Sequence, residues 1–189
     1  MNRLLRRAVT AAGVLAVTGG TVLASAMPAG ALVLPRSWAA QATGTVSLSQ
    51  VALAWAGNTP VTAFGVPSNP LLSTGFILDR AGPTWSYSQV QSPSVSVSSA
   101  LAMVGASAVN TQCITGVTGT TQINSGQIVQ YGQPTINLPL HPAVNTKIKI
   151  PGGVTITLNK QNIGSGIRQV TAIYVAWSGQ NVSIGVTRC

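Results

Sequence analysis

Lys147-Ile148-Lys149-Ile150 and Val154-Thr155-Ile156-Thr157-Leu158 stand on either side of Pro151-Gly152-Gly153. Both flanks alternate apolar and polar residues with a period of two, as a strand with one buried face does. Proline sets φ for a turn and glycine supplies positive φ, so the unit reads as a hairpin. Its apolar row is Ile148, Ile150, Val154, Ile156 and Leu158. The same period continues outward. After a Gly/Ser loop at Gly164 to Gly166, Val170 to Trp177 is apolar on both faces, as a central sandwich strand is. Ser178-Gly179-Gln180-Asn181 turns the chain, and Val182, Ile184 and Val186 then alternate with Ser183, Gly185 and Thr187. On the N-terminal side Ile136, Leu138 and Leu140 alternate. Pro139 lacks a ladder donor, which places that segment at a sheet edge.

Further upstream, Val46 and Leu48 alternate with serines, and Val51, Leu53 and Trp55 continue in shifted phase. A bulge or bend near Gln50 accounts for the shift. Residues 56 to 93 are rich in Pro and Gly and read as short strands and loops, with an apolar patch from Leu71 to Leu78. Ser94-Val95-Ser96-Val97-Ser98 is another alternating strand. Ser99 to Val109 is small and apolar and fits a strand or a short helix. Thr111 to Tyr131 has Gly and Thr punctuation around two apolar pieces, Ile114 to Val117 and Ile128 to Val129. No internal repeat is present, and no long helical period occurs outside the N-terminus. The expected fold is all-β, an antiparallel β-sandwich of jelly-roll or Ig-like type.

The N-terminus carries its own instruction. Arg3, Arg6 and Arg7 form a charged start without an acid, and Ala8 to Leu23 is uncharged and rich in Ala, Val and Leu. Ala24-Ser25-Ala26 offers the small residues that a signal peptidase reads, and Ala29-Gly30-Ala31 offers a second site. The run from Ala8 to Leu34 is long enough to span a bilayer, but Gly13, Gly19, Gly20, Pro28 and Gly30 interrupt it. Residues 1–26 therefore read as a signal peptide, with an alternative end at 31, and residues 27–189 as one domain. The neighbours of Arg6-Arg7 fit twin-arginine export poorly, which favours the general secretory route. The expected location is secreted or at the cell surface, with membrane contact only through the signal.

Removing residues 1–26 leaves 163 of the 189 residues. Seven cations remain (Arg36, Arg80, Lys147, Lys149, Lys160, Arg168 and Arg188) against one acid, Asp79, a balance of +6. Only 6% of the chain is charged, so solubility rests on Ser, Thr, Asn and Gln. A positive balance attracts anionic partners such as a cell-wall polymer. The cations look scattered; Lys147 and Lys149 are the close pair and read as the wet face of a strand. Nucleic acid is not expected, because no recognition helix, zinc spacing or aromatic RNA-binding motif is present. An even count of cysteines in an exported chain argues for one structural disulfide, Cys113 to Cys189.

The catalytic inventory is short. Glycosidase chemistry usually needs two carboxylates, and the mature chain has one. His141 lies in Leu138-Pro139-Leu140-His141-Pro142, boxed between prolines, and no Gly-x-Ser-x-Gly elbow is present. Asp79 reads as the cap of a turn before Gly82-Pro83. Calcium wants several charged oxygen donors, and no phosphate-cradling loop occurs. No catalytic residue, metal site or cofactor is expected. Trp85 and Tyr87 share one face of Thr84 to Ser88. They either cover the end of the core or, if exposed, form a platform for sugar rings or a membrane interface.

Three runs near the C-terminus carry a family likeness. Val154-Thr155-Ile156-Thr157-Leu158-Asn159-Lys160-Gln161 resembles the strand with an LNxQ end in secreted actinobacterial proteins of the choice-of-anchor P type. Val170-Thr171-Ala172-Ile173-Tyr174-Val175 is similar to the strand that follows it there. Asn181-Val182-Ser183-Ile184-Gly185 with terminal Cys189 is similar to the closing strand. The likeness spans about the last 45 residues. Lys160 departs from the family pattern, where an acid often follows the Asn, and Trp177 is no part of it. The resemblance implies an exported β-sandwich and supplies no catalytic residues. The expected function is a non-enzymatic surface or binding protein that touches an anionic cell-wall polymer or carbohydrate. The alternatives are a membrane-active or self-assembling β protein and, behind it, a hydrolase using His141 with Asp79.

Overall fold

The computed structural model describes residues 34–67 and 69–189. The expected signal peptide, with either of its ends, lies outside the described residues. The chain opens with β1 (Arg36–Thr43), β2 (Leu48–Val51) and β3 (Ala54–Trp55). There follow β4 (Val61–Phe64), β5 (Leu72–Ser73), β6 (Phe76–Ala81), β7 (Trp85–Gln91), β8 (Ser94–Val97) and a single 3-10 turn at Ser98–Ala100. Next come β9 (Ala102–Gly105), β10 (Ala108–Ile114), β11 (Thr120–Asn124), β12 (Gln127–Gln130) and β13 (Ile136–Asn137). The chain closes with β14 (Thr146–Ile150), β15 (Val154–Gly164), β16 (Ile167–Trp177) and β17 (Gln180–Arg188).

All pairings are antiparallel. Sheet A has seven strands in the order β14-β15-β16-β17-β1-β2, with β3 also on β1. Sheet B runs β11-β10-β7-β6-β4 and sheet C runs β13-β12-β9-β8-β5. Sheets B and C are two halves of one folded layer. β7 continues into β8, β9 into β10, β11 into β12 and β5 into β6. The crease passes through Gly75, Ser92, Ala106 and Ser125. Ser92 and Ser125 adopt positive φ, +45° and +46°. Hydrogen bonds from Gly75 N to Gln91 O (2.7 Å) and from Ser92 N to Ser107 O (2.9 Å) hold the crease closed.

The core lies between this folded layer and sheet A. It is built from Ile77, Val90, Val109 and Ile123 of sheet B and Val95, Val97, Val104 and Ile128 of sheet C. Sheet A supplies Ile156, Leu158, Ile173, Val175, Val182 and Ile184, and all of these are essentially without solvent contact. Each such side chain contributes about 1.5–3 kcal/mol of transfer free energy. The sandwich expected from the period-two pattern is thus the observed fold.

The hairpin forms in the register its sequence dictates. Ile150 faces Val154, Ile148 faces Ile156 and Thr146 faces Leu158. Gly152 and Gly153 sit at φ +87° and +74°. The phase shift near Gln50 is a one-residue slip, with Ala40 opposite Val51 but Ala42 opposite Leu48. Ile136–Asn137 is the edge strand of sheet C, as Pro139 required. Ser99 to Val109 resolves into the 3-10 turn, Leu101 at φ +46°, and two strands. Cys113 of β10 is bonded to Cys189 with Cα atoms 5.7 Å apart, which fastens sheet B to the last strand of sheet A. Val170 packs against the pair.

Candidate functional site

Sheet B sorts its side chains by parity. Ile77, Asp79, Ser86, Ser88, Val90, Val109, Thr111, Cys113, Thr121 and Ile123 point inward and are buried. Trp85 and Tyr87 take the other parity and lie half-buried on the outer face. The register places three amides in one row across that face, Gln89 opposite Asn110 and Asn110 opposite Gln122. The next row is Arg80, Tyr87, Gln112 and Thr120. Tyr87, Asn110, Gln112, Thr120, Gln122 and His141 line a hollow of about 320 Å3. Tyr87 Oη donates to Asn110 Oδ1 at 3.2 Å, and Gln122 Nε2 donates to Asn124 Oδ1 at 3.1 Å. Burial pushes the Tyr87 phenol up, and the Arg80 guanidinium opposes that. Trp85 lays its indole over Gly82, where any Cβ would overlap the ring. At the far edge Phe64 and Phe76 pair with ring centroids 5.4 Å apart.

The rim of the hollow is held from within by the LNxQ residues. Asn159 occupies φ +48° in the middle of β15. Asn tolerates this left-handed conformation better than most residues. Its Nδ2 donates to Pro142 O (3.0 Å), while its Oδ1 accepts from Thr121 Oγ1 (3.2 Å) and Gln161 Nε2 (3.0 Å). Gln161 Nε2 also donates to Gly119 O at 2.7 Å, and Arg168 Nη1 donates to Gln161 Oε1 at 2.9 Å. This network anchors the segment that carries His141 and the start of β11, which are two sides of the hollow. Ile123 N donates to Leu140 O at 2.8 Å and draws the same segment along β11.

Asp79 is a correction to the sequence expectation. It caps no turn; it lies inside β6 and faces the interior, with no solvent contact. The turn at Gly82 closes without it, through Gly82 N to Trp85 O at 2.8 Å. Burial pushes the Asp79 carboxyl up to about 8, with the Ser88 and Ser37 side chains close by. Both serines aim their protons elsewhere, Ser37 at Arg80 O (3.1 Å) and Ser88 at Trp38 O (3.5 Å). The Asp79 oxygens are left without a hydrogen-bond partner, as is the Thr187 hydroxyl. An unpaired carboxylate in such a site is costly, so the group holds its proton instead. His141 is exposed on the outer side of sheet B and Asp79 faces the inner side, and no hydrogen bond joins them.

Since Asp79 is the sole acidic residue of the chain, the described surface presents no carboxylate side chain. Arg36 instead stacks over Trp38 and Trp55, with its guanidinium carbon 5.6 and 5.4 Å from their rings. Sequence reasoning singled out Trp85 and Tyr87 but passed over Gln89, Asn110, Gln112 and Gln122. Their signal was the alternation of amides in Asn110-Thr111-Gln112 and Gln122-Ile123-Asn124. No family model, curated protein or solved structure matches the chain.

Proposed function

We propose that the chain is an exported, non-enzymatic surface protein that binds polysaccharide on the outer face of sheet B. The observation that carries this is the row of amides, Gln89, Asn110 and Gln122, of which Asn110 and Gln122 line a hollow together with Tyr87. Amides both donate and accept, so they match sugar hydroxyls without requiring charge. A half-buried tyrosine offers an apolar ring face with a polar tip. Rigid strands hold these groups in place at little entropic cost on binding. Arg80 in the adjoining row and the absence of an exposed acid favour a neutral or anionic polymer. Extracytoplasmic residence is supported by the disulfide. Among the described residues no helix is long and apolar enough to cross a membrane.

The test is retention on insoluble cell-wall polysaccharide. Tyr87→Ala and Asn110→Ala should each weaken it about tenfold, or ~1.4 kcal/mol, with unchanged circular dichroism. Retention equal to that of the parent protein in both variants would sink the proposal. Release of reducing ends from the polymer would overturn its non-enzymatic part.

Self-assembly is the second function that a specific observation favours. Leu101, Met103, Val129 and Tyr131 are exposed around an apolar hollow of about 470 Å3 on sheet C. Met103 and Val129 face each other across β9 and β12. Association with a second copy through this patch would appear as concentration-dependent sedimentation, abolished by Met103→Ser with Leu101→Ser.

A further inference from the structure

Sheet A carries a different chemistry on its outer side. Lys147 and Lys149 point outward from β14, opposite Thr157 and Thr155. Thr157 in turn faces Tyr174, and Tyr174 faces Ser183. Strict alternation would place Lys160 on the same side as Leu158, in the core. The left-handed turn of the backbone at Asn159 reverses the parity, so that Asn159 and Gln161 are buried and Lys160 emerges. Its ammonium lies 3.3 Å from the centroid of the Tyr174 ring, and Tyr174 Oη donates to Asn181 Oδ1 at 2.7 Å. Three ammonium groups therefore stand on one face of sheet A, Lys160 beside Lys147, and the chain holds no exposed acidic side chain to pair with them. Burial and the neighbouring Lys147 charge both push the Lys160 ammonium down, as expected of a cation without a counter-ion.

We propose that Lys147, Lys149 and Lys160 form a docking face for a linear polymer that bears repeated phosphate groups. Residues i and i+2 of a strand are about 6.5–7 Å apart and adjacent strands about 4.8 Å apart. That grid presents several cations to successive anionic groups of one chain, and a cation over an aromatic ring is held in a fixed place. A membrane surface fits less well. Between Thr146 and Lys160 no large apolar side chain is exposed to enter a bilayer, and the neighbours are Thr155, Ser183 and Asn181. This site stands apart from the amide face of sheet B, on the other layer of the sandwich, and does not depend on it.

The experiment uses the purified protein and inorganic polyphosphate as probe, with affinity measured across a sodium chloride series. Lys147→Gln with Lys149→Gln should weaken binding about tenfold and flatten the salt dependence, because fewer counter-ions are exchanged. Lys160→Gln should act in the same direction. Arg36→Gln with Arg188→Gln removes the same net charge elsewhere and should leave polyphosphate affinity within twofold. Tyr87→Ala should leave it unchanged. Equal losses in the arginine and lysine pairs would show that net charge alone attracts the polymer, and the site would be rejected. Binding to vesicles of anionic phospholipid as tight as to polyphosphate would equally overturn the proposal.

Discussion

An aspartate with no hydrogen-bond partner inside a β-sandwich makes stability depend on pH with an unusual sign. The Asp79 carboxyl is raised to about 8 by burial, whereas in the unfolded chain it returns to the ordinary value near 4. Between those limits the folded protein keeps a proton that the unfolded chain releases. Stability is therefore fully present below about pH 4 and falls as pH rises toward 8, by up to ~1.4 kcal/mol per pH unit. Chemical denaturation at pH 5 and pH 7.5 should show the protein more stable at the lower pH. Asp79→Asn, which keeps the neutral polar shape, should abolish the difference. Nothing local in Ile77-Leu78-Asp79-Arg80 revealed this, because a lone acid beside Gly82-Pro83 has the appearance of a turn cap. Asn159 makes the complementary case. The LNxQ run was visible, yet its role lies in a positive φ and in partners 17 to 42 residues away. Asn159→Ala should cost about 2–3 kcal/mol in denaturant unfolding, from backbone strain and orphaned buried groups.

At the level of elements, what was legible was what is local. The Pro151-Gly152-Gly153 hairpin, the slip near Gln50 and the edge position of Ile136–Asn137 all follow from turn chemistry or from proline's missing donor. The parity of β7 was not legible. Serine is polar and tryptophan apolar, so Trp85-Ser86-Tyr87-Ser88 allows its aromatics to cover the end of the core as readily as to face outward. The structure puts Ser86 and Ser88 inside, because they supply donors to carbonyls of the facing sheet, Arg188 O at 3.0 Å and Trp38 O at 3.5 Å. The amide row of the candidate site was hidden for a related reason. It exists only once β7, β10 and β11 are in register, which no single segment encodes. The Cys113–Cys189 bond acts between elements, closing a loop with a sequence separation of 76. Loop-closure entropy assigns such a bridge about 4 kcal/mol. Replacing both cysteines by serine should lower the unfolding free energy by that order and release β17 first, seen as faster hydrogen exchange at Val182 to Arg188.

For the molecule as a whole, every interaction between charged side chains at the described surface is a repulsion. Arg36 is held down by burial and by Arg188 beside it, and Lys160 by burial and Lys147. With no exposed acidic side chain there are no attractive pairs between side chains for salt to screen. Melting temperature should therefore rise with sodium chloride from about 10 mM to 150 mM, as the Debye length shortens from about 30 Å to about 8 Å. A fall over that range would show that attractions involving these cations had been overlooked.

The solitary interior Asp79 also turns the chain into its own gauge of opening. An endopeptidase that cuts only beside acidic residues finds one place to act in the entire sequence. That place is the middle of a sheltered strand, so digestion waits on the breaking of the sandwich and then yields two fragments. Their rate of appearance reads the population of opened molecules without any label.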